Sequence, residues 1–548
     1  MASAFKPSAQ TKLLSASLLS AFGISPEDHP DCLKAAQLAY HAVSRGATCV
    51  ESGENPDQIT PSIIKAIPAK MLIEAYFKTP SAELFKSERP LTVTEGKLYL
   101  SKFCEQEARL AETIIRIRDR KADNLWTPGE ECIKHPDPTK VLHIRQKEAV
   151  HKFANSNLLV LTGGPGTGKT TTASAMISTA VQEGGYKLDE IQLCAPTGRA
   201  MSQLYKGIYE SELLKKVDLA GLKPAQTIQK IIHNPELISG IRLIFVDECS
   251  MVDLSTFNSL LKLIEKARIV LIGDPKQLPS IDTGSVFTDL CNSTSIQANI
   301  AVLEKGQRNK EQPLAWSHFT LNPDGPKPDK DKYGEILPNT ADRIVKASHD
   351  AFSAIIKKAK EGEAAEAVKM LNSVKILCSH REGQTGVRKL NQLIRKKHDL
   401  TEPLVPGSII MVNKNDHRVT GLSNGDVGII MANGEACFAE NRTGQAGSKI
   451  RFVKPSQIPS YEDAFATTVH KSQGSEYDVV HISISGKPDL SDDSMEHDGF
   501  LNRELLFTAV TRAKNTVNIY SDETVFIDAL RQQARRSSGL EERLNAIG

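Results

Sequence analysis

One short stretch constrains this chain more than any other. The sequence GGPGTGKT, at residues 163–170, directly follows the apolar run NLLVLT. Its spacing, G-x-x-x-x-G-K-[ST], is that of a phosphate-binding loop, in which glycines let successive backbone N–H groups face phosphate oxygens. The helical stretch KTTTASAMISTAVQE then adds the positive end of its dipole. A glycine-rich turn could match by chance, but the strand before it and the helix after it favour a nucleotide site.

The loop predicts a role for each of its residues. Lys169 is expected to reach the outer phosphates of ATP, and the hydroxyl of Thr170 is expected to bind Mg²⁺. The other residues expected to surround the nucleotide are Gly163, Gly164, Pro165, Gly166, Thr167, Gly168 and Thr171. Kinases, transporters, AAA machines and helicases all carry such a loop. The loop therefore predicts nucleotide binding, and other motifs must indicate which reaction uses the nucleotide.

The pattern of apolar segments predicts two α/β domains in tandem. The segments NLLVL, IQLCA, RLIFVD and ARIVLIGD are mostly separated by helical stretches, which is typical of a parallel sheet with helices on both faces. A second alternating region contains VKILCS, DVVHISI and TVNIYSD, and a glycine-punctuated β stretch interrupts it. Only the first region carries the phosphate loop.

Changes in composition predict the domain boundaries. We expect a helical amino-terminal domain at 1–120, a linker at 121–140 and the first α/β domain at 141–310. A linker or insertion rich in Pro, Asp and Lys is expected at 311–345. The second α/β domain is expected at 346–426 and 459–548, with a small β insertion at 427–458.

Length and composition exclude several classes of protein. A chain of 548 residues is too long for one core, and 40% hydrophobic with 24% charged residues is typical of a soluble protein. No apolar run is long enough to cross a bilayer, and serines interrupt the one near the start, which favours an amphipathic helix over a signal peptide. The nine cysteines form no C-x-x-C pair, which predicts a reducing cytoplasm and neither a zinc ribbon nor an iron–sulfur domain. The net charge of +2 restricts any nucleic-acid site to a local groove.

Two further strand ends predict phosphate and metal chemistry. Asp247 and Glu248 end the run RLIFVDE, where Asp247 can hold Mg²⁺ and Glu248 can orient and deprotonate an attacking water. Gln277, in GDPKQL, can contact the γ-phosphate and report its presence. Gln146, in IRQKEAV, can read the adenine edge. The alternatives are an acidic turn after a core strand and ordinary surface glutamines.

Two arginines complete the predicted catalytic set. Arg308 lies in LEKGQRN at the end of the first α/β region, and Arg512 lies in FTAVTRAKN in the second. A guanidinium can stabilise the charge that phosphoryl transfer leaves on oxygen, and it can come from across a cleft. Either residue could instead be a solvated surface arginine.

The stretch ATTVHKSQGSEYD is predicted to serve two ligands. Thr468, His470 and Lys471 cluster hydrogen-bond donors where a phosphate backbone could run. Gly474 and Glu476 are predicted to face the nucleotide. A polar loop between strands would explain the same residues without any ligand.

Taken together, GGPGTGKT, APTGRA, VDECSM, GDPKQL, TVHKSQGSE and FTAVTRAK resemble, in order, the motifs of superfamily 1 DNA helicases. Within these the chain resembles the RecD-type 5′→3′ motor, the alpha subunit of bacterial exonuclease V (the RecBCD enzyme). This resemblance implies two RecA-like P-loop domains with ATP between them and single-stranded DNA across their top. It also implies a helical amino-terminal domain that docks RecB-like and RecC-like partners, and an SH3-like β insertion.

The resemblance further implies which residues contact DNA. The first domain would use residues of APTGRA and AQTIQKII, and the second would use residues of TVHKSQGSE and of the stretch before the β insertion. These residues are Thr197, Gly198, Thr227, Asn415, Asp416, Thr468, His470 and Lys471.

We therefore expect an ATP-driven DNA translocase and helicase, with ATP and Mg²⁺ as cofactors. Outside the motor motifs no cluster of acids with a lysine predicts a nuclease site. The alternatives are a stand-alone helicase of the same branch, the helicase part of a conjugative relaxase, or a scaffolding subunit that no longer hydrolyses ATP. No histidine cluster supports a relaxase, and the intact Lys169, Glu248 and Arg512 argue against a scaffold.

Overall fold

The computed structural model describes residues 7–53, 55, 57–85, 88–121, 124–135, 137, 141–215, 217–304, 311–416, 419–440, 449–486, 501–534 and 536–548. These ranges contain two parallel sheets, of six and five strands, and two further sheets, of four and five strands. Across the described ranges, no helix combines the length and the apolar character needed to cross a membrane.

The amino-terminal region contains five helices and a four-stranded sheet. The helices are α1 (Ala9–Ala21), α2 (Pro30–Ser44), α3 (Pro61–Lys65), α4 (Ser81–Phe85) and α5 (Ser101–Asp119). The strands are β1 (Cys49–Glu51), β2 (Leu72–Ala75), β3 (Leu91–Thr94) and β4 (Lys97–Leu100), in the order β1-β4-β3-β2.

The sheet corrects the prediction of a helical amino-terminal domain. Its strands are only three or four residues long, so they offer too little alternation to be recognised beside the long helices. The hairpin between β3 and β4 does carry a local signal. Its two-residue turn, Glu95-Gly96, has φ angles of 43° and 84°, the left-handed pair that a tight hairpin turn requires.

The first α/β domain is built on a fully parallel six-stranded sheet in the order β10-β5-β9-β8-β6-β7. Its strands are β5 (Leu158–Gly163), β6 (Ile191–Ala195), β7 (Gln226–Thr227), β8 (Leu243–Val246), β9 (Arg268–Gly273) and β10 (Ile300–Leu303). A short helix, α6 (Glu130–Ile133), precedes the domain. The helices of the domain are α7 (Ile144–Ala154), α8 (Lys169–Gln182), α9 (Gly198–Tyr209), α10 (Ile228–His233), α11 (Leu254–Ile264) and α12 (Val286–Asn292).

Alternate residues of the central strands enter two different hydrophobic cores. Leu158 and Val160 of β5 join one core, whereas Leu159 and Leu161 join the other. A strand buried on both faces reads as a continuous apolar run, which is why these strands were predictable.

The second region, residues 311–534, contains a parallel sheet with an antiparallel sheet inserted into it. In chain order its elements are α13 (Glu311–Leu321), α14 (Lys330–Tyr333), β11 (Ile336–Leu337), α15 (Ala341–Lys360), α16 (Ala364–Met370), β12 (Val374–Cys378), α17 (Val387–Lys397), β13 (Ile409–Val412), β14 (Val427–Ile430), β15 (Ala436–Glu440), β16 (Lys449–Val453), β17 (Tyr461–Asp463), β18 (Ala466–Thr468), β19 (Tyr477–Ser483), α18 (Arg503–Val510), β20 (Ala513–Tyr520) and α19 (Glu523–Arg531). The parallel sheet has the order β11-β20-β19-β12-β18.

The segment 311–345 is an integral part of this second domain, so its prediction as a linker or insertion is corrected. Trp316 of α13 is 1% exposed and packs edge-on against Phe526 of α19. β11 forms the edge of the parallel sheet beside β20. The charged and proline-rich composition reflects an edge strand and its surface turns, while one buried tryptophan fixes the helix in the core.

The inserted antiparallel sheet has five strands in the order β16-β15-β14-β13-β17. Two of them, β13 and β17, lie outside the predicted limits of 427–458, so the insertion is larger than expected. β13 pairs with both β14 and β17, although some 50 residues separate β13 from β17 in the chain. The pairing of β17 with β13 could not be predicted from local sequence, because the two strands lie far apart in the chain.

The carboxyl-terminal segment leaves the second domain and packs on the amino-terminal region and on the first α/β domain. The last helix, α20 (Leu540–Ile547), lies against α5 and α12. Arg543 and Glu107 form an ion pair at 3.7 Å in which both side chains are 0% exposed. The predicted range 459–548 assigned residues 536–548 to the second α/β domain. The packing of α20 corrects this, because these residues contact other parts of the chain.

Candidate active site

The phosphate loop has the predicted strand–loop–helix geometry. β5 ends at Gly163 and α8 begins at Lys169. Gly166 and Gly168 adopt φ angles of 71° and 90°, a left-handed conformation that side-chain-bearing residues rarely adopt. A Cβ on Gly163 would lie 2.7 Å from the carbonyl oxygen of Leu303 on β10, so this glycine is required by close packing. The ammonium of Lys169 donates to the carbonyls of Gly163 and Gly164 at 2.6 and 3.0 Å, which holds it over the loop.

The acid pair follows β8, two strands away from the loop in the sheet. The backbone N–H of Glu248 donates to Asp247 Oδ1 at 2.8 Å. Glu248 itself has φ 53° and ψ 41°, a left-handed conformation that costs a non-glycine residue about 1–2 kcal/mol. Such strain is typical of residues held in place for function.

Electrostatics set the Asp247 carboxyl apart from an ordinary surface acid. Burial and the neighbouring charge of Glu248 raise the pKa of Asp247 to about 7, although Lys169 and a backbone hydrogen bond act in the opposite direction. Ionisation of this carboxyl is therefore costly, chiefly because it is buried and also because it lies beside a second acid. A bound cation would lower that energy.

The end of β9 brings a third set of groups to the same edge of the sheet. Asp274 is buried and accepts from the backbone N–H of Lys276 at 3.0 Å and from Gln277 Nε2 at 3.3 Å. These bonds fix the amide of Gln277 so that its oxygen points toward the second domain. Gln277 Oε1 there accepts from Arg512 Nη2 at 3.2 Å.

Arg512 lies between α18 and β20 and is 4% exposed. Its guanidinium also donates to the carbonyls of Thr508 and Ser475, at 3.1 and 3.2 Å. Two other bonds join the domains at this point. The N–H of Leu278 donates to Thr508 Oγ1 at 2.9 Å, and Gln473 Nε2 donates to the carbonyl of Leu278 at 3.2 Å. The structure thus places Arg512 at the interface between the two sheets, whereas Arg308 falls outside the described residues.

The two domains enclose a cavity of about 560 Å³ at this interface. A volume of several hundred Å³ is that of a typical small-ligand site. Its lining from the first domain includes Pro165, Gly166, Gly168, Lys169, Thr170, Arg199, Asp247, Glu248 and Gln277, and its lining from the second includes Gly474, Glu476, Arg512 and Lys514. Three predicted cofactor groups, the loop, the acid pair and the glycine–glutamate pair, therefore share one cavity. Gly163, Gly164, Thr167 and Thr171 belong to the loop and to the start of α8 but do not line the cavity.

Gln146 of α7 contacts the phosphate loop. Its side chain is buried, its Nε2 donates to the carbonyl of Thr167 at 3.3 Å, and its Oε1 accepts from the N–H of His143 at 2.8 Å. A Cβ on Gly168 would lie 2.3 Å from the same Nε2. The amide thus contacts the loop itself, and its predicted contact with adenine stays a prediction.

The predicted DNA residues of the first domain lie at the ends of β6 and β7. Thr197 Oγ1 accepts from the N–H of Ala200 at 3.2 Å, and Thr227 Oγ1 accepts from the N–H of Lys230 at 3.3 Å, so both cap helices. Thr227 follows Gln226 in β7, which pairs with the end of β6. A Cβ on Gly198 would lie 2.6 Å from Ser423 of the second domain, so this glycine permits close approach of the two domains.

The predicted DNA residues of the second domain lie near the inserted sheet. Thr468 ends β18, and its Oγ1 accepts from the N–H of Lys471 at 3.3 Å. The ammonium of Lys471 donates to Glu462 Oε1 at 2.6 Å and to Asn413 Oδ1 at 3.2 Å, and His470 beside it is half-buried.

Asn415 and Asp416 shape the loop between β13 and β14. Asn415 Oδ1 accepts from the N–H of Asn424 at 2.8 Å, and the carboxylate of Asp416 accepts from the N–H groups of Val419 and Thr420 at 3.2 Å. Their side chains therefore hold loop geometry, whatever else they contact.

Arg199 and Lys514 also line the cavity, and neither was singled out from the sequence. Arg199 lies directly after Thr197 and Gly198 in APTGRA, and Lys514 forms an ion pair with Glu476 at 3.8 Å. The only available signal was their position inside motifs already recognised, because lone cations are common on surfaces.

Comparisons with known proteins locate both halves of the site. A profile of the AAA domain family matches residues 141–320, and a profile of the UvrD-like helicase C-terminal domain matches residues 463–520. The first match spans the phosphate loop, the acid pair and Gln277. The second spans Thr468, Glu476 and Arg512.

Further comparisons find similar proteins over most of the chain. The RecBCD enzyme subunit RecD of Mycolicibacterium smegmatis is 28% identical over 559 residues, which cover 95% of this chain and 95% of that protein. The ATP-dependent RecD2 DNA helicase of Deinococcus radiodurans is 28% identical over 482 residues, which cover 84% of this chain and 60% of that protein. A crystal structure of Pif1 helicase from Bacteroides in complex with ADP-AlF3 and ssDNA matches with a TM-score of 0.40 and 16% identity, covering 71% of this chain and 94% of that one.

Proposed function

Since the chain is a RecD-type superfamily 1 DNA helicase that depends on ATP, we propose that it moves 5′→3′ on single-stranded DNA as the motor subunit of a helicase–nuclease complex. The observation that carries this proposal is the contact between Arg512 and Gln277 across a cavity that the phosphate loop also lines. A motor needs its two domains to respond together to the nucleotide, and this contact joins them where the γ-phosphate would lie.

In the proposed reaction the loop holds the phosphates of ATP and Lys169 neutralises their charge. Glu248 orients and deprotonates the attacking water, and its strained backbone fixes the direction of its carboxylate. Gln277 detects the γ-phosphate, and Arg512 stabilises the charge that develops on it. Arg308 is proposed as a second arginine for the same purpose, and Gln146 as the contact for adenine.

Mg²⁺ is proposed to bind at Thr170 and Asp247, together with phosphate oxygens of ATP. The residues fit the ion, because Thr170 and Asp247 both line the cavity and offer a hydroxyl and a carboxylate oxygen, the ligands that Mg²⁺ prefers. In the described ranges, no group of three His, Cys, Asp or Glu side chains could hold a metal by itself. A magnesium ion completed by nucleotide oxygens is the usual arrangement for phosphoryl transfer, in which it shields phosphate charge.

Single-stranded DNA is proposed to run along the strand ends of both domains. Thr197, Gly198 and Thr227 would contact its backbone from the first domain, and Thr468, His470 and Lys471 from the second. The ion pair of Lys471 with Glu462 keeps the ammonium in place, so DNA would share an already oriented cation. Asn415 and Asp416 are proposed to present their loop to the same strand.

Membership of a larger complex is proposed from the whole-chain similarity to subunits named RecD, of which the chain spans nearly the full length. RecB-like and RecC-like subunits are the proposed partners, and the amino-terminal region is their proposed dock. The pathway would be double-strand break repair and DNA degradation, with the nuclease on a partner chain. A cytoplasmic location is proposed because the nine cysteines lie in the described ranges and no two of them form a disulfide.

The experiment compares duplexes that carry a 5′ or a 3′ single-stranded tail. We expect faster ATP hydrolysis with single-stranded DNA, by about tenfold or more, and unwinding of the 5′-tailed substrate only. Lys169→Gln should abolish both activities while leaving circular dichroism unchanged. An ATPase rate that DNA does not alter would favour a scaffolding subunit. Unwinding of the 3′-tailed substrate would refute the proposed polarity.

A further inference from the structure

We propose that Arg199 is a positioning residue that couples DNA bound at Thr197 to the position of Arg512 in the ATP cavity. The inference rests on the proposed function, because it requires DNA to stimulate ATP hydrolysis. Arg199 lies in the first turn of α9, two residues after Thr197, and belongs to the first domain. Its guanidinium nevertheless ends on the second domain.

Two contacts attach Arg199 to the start of β19. Its Cζ lies 5.6 Å from the centroid of the Tyr477 ring, and its Nη2 donates to Asn372 Oδ1 at 3.5 Å. Asn372 is itself joined to this strand, since its carbonyl accepts from the N–H of Asp478 at 2.9 Å. Tyr477 is 2% exposed, so the cation meets a ring that water cannot reach.

Tyr477 connects this contact to the catalytic arginine. Its backbone N–H donates to the carbonyl of Arg512 at 2.8 Å, and it lies two residues after Ser475, whose carbonyl accepts from Arg512 Nη1 at 3.2 Å. A displacement of Tyr477 would therefore move both the backbone and the guanidinium of Arg512. Arg199 acts on the reaction through these neighbours.

The electrostatic surroundings of the ring make the contact sensitive to the charge of Arg199. Burial by itself would raise the pKa of Tyr477, but Arg199 and Lys375 beside it lower that pKa overall. Lys375 Nζ lies 5.8 Å from the ring centroid and is buried on β12. Both cations therefore act on one aromatic ring, and only Arg199 comes from the opposite domain.

The two arginines cross the interface in opposite directions. Arg512 extends from the second domain to Gln277, and Arg199 extends from the first domain to Tyr477. Both contacts require the domains to be closed on each other. DNA that orders the start of α9 at Thr197 would hold Arg199 over the ring, favour the closed arrangement and so hold Arg512 in the cavity.

The test compares Arg199→Met with Arg116→Met, a control in which the same substitution is made at an arginine that is 60% exposed on α5. We measure kcat and KM for ATP with saturating oligo(dT), and the Kd for fluorescent oligo(dT). For Arg199→Met we expect kcat to fall about tenfold or more, while KM and the DNA Kd change less than about threefold. Arg199→Lys retains a cation over the ring and should recover at least about a third of the lost rate.

Tyr477→Leu supplies the second variant. If the two residues act as one unit, the double variant Arg199→Met/Tyr477→Leu should be no slower than the slower single variant, within about twofold. The inference is overturned if kcat of Arg199→Met stays within about twofold of the parent. It is also overturned if the DNA Kd rises in parallel with the loss of kcat, or if the losses of the two single variants multiply. A parent protein whose ATPase ignores DNA would refute the proposed function as well.

Discussion

The buried ion pair that anchors the carboxyl terminus offers a quantitative test of how this chain holds itself together. Arg543 of α20 donates to Cys104 Sγ at 2.8 Å, to the carbonyl of Phe77 at 3.3 Å and to Thr94 Oγ1 at 3.5 Å, and it pairs with Glu107. Arg543→Met keeps much of the side-chain volume but removes the charge. Glu107 then loses this ion-pair partner while its side chain stays buried.

The expected loss of free energy for docking α20 depends on the hydrogen bonds that Glu107 retains in the variant. Removing one partner of a buried ion pair costs about 3–5 kcal/mol, because the remaining charge is uncompensated. Glu107 still accepts from Ser538 Oγ at 2.8 Å, from the N–H of Gly539 at 3.2 Å and from Thr48 Oγ1. These donors stabilise a carboxylate, so we expect the lower end of that range. About 3 kcal/mol corresponds to about two orders of magnitude in the equilibrium for undocking α20.

Hydrogen exchange of the peptide 536–548 measures that local equilibrium directly, without requiring the whole chain to unfold in one step. We expect exchange in Arg543→Met to be about 100-fold faster than in the parent. Arg116→Met is the control, because Arg116 lies on α5 like Glu107. Its ion pair with Glu265 at 2.7 Å is exposed and contributes less than about 1 kcal/mol to stability. Arg543→Met/Glu107→Gln should recover most of the protection, because the amide oxygen still accepts from Ser538 and Gly539. Exchange within about threefold of the parent in Arg543→Met would refute the reasoning.

Four further predictions concern the cavity. Glu248→Gln should still bind ATP but hydrolyse it at least about 100-fold more slowly, measured as single-turnover phosphate release; an undiminished rate would exclude Glu248 as the base. Because burial and Glu248 raise the pKa of Asp247 to about 7, Mg²⁺-dependent ATP binding should weaken by up to about tenfold per pH unit below 7, and Asp247→Asn should lose that slope. The stability cost of ionised Asp247 should in turn appear between pH about 4 and 7 and be complete above 7, so a metal-free Asp247→Asn variant should melt higher than the parent at pH 8. Arg512→Lys should lower kcat by at least about 100-fold with little change in ATP affinity, since lysine cannot contact Gln277 and the γ-phosphate together; equal rates would assign Arg512 to structure alone.

Much of the site was predictable because its parts are local in sequence. Four strands were read directly from NLLVL, IQLCA, RLIFVD and ARIVLIGD, and the corresponding strands β5, β6, β8 and β9 are buried throughout. Because all carboxyl ends of a parallel sheet lie at one edge, the loop after β5 and the acids after β8 could be expected to lie close together. The recognition of a RecD-type helicase from these motifs is confirmed by the similarity along the chain.

The errors arose where pairing is distant or elements are short. The amino-terminal sheet is made of strands of three or four residues, and β17 closes the inserted sheet from outside the predicted limits. The segment 311–345 has the composition of a linker, yet Trp316 anchors it in the second domain. For the inserted sheet and the segment 311–345, the deciding interaction is with a residue far away in the chain, which no local period records.

By itself, the sequence determined the phosphate loop, the acid pair and the order of the motifs, because these depend on backbone dihedrals and strand burial within a few residues. Only the tertiary structure decided which distant groups meet. Arg512 contacts Gln277 across 235 positions, Arg543 near the end of the chain pairs with Glu107 of the amino-terminal region, and Arg199 lies over Tyr477 of the other domain. Such contacts depend on how the helices and strands that carry these side chains pack on each other, and neighbours in the sequence do not determine that packing.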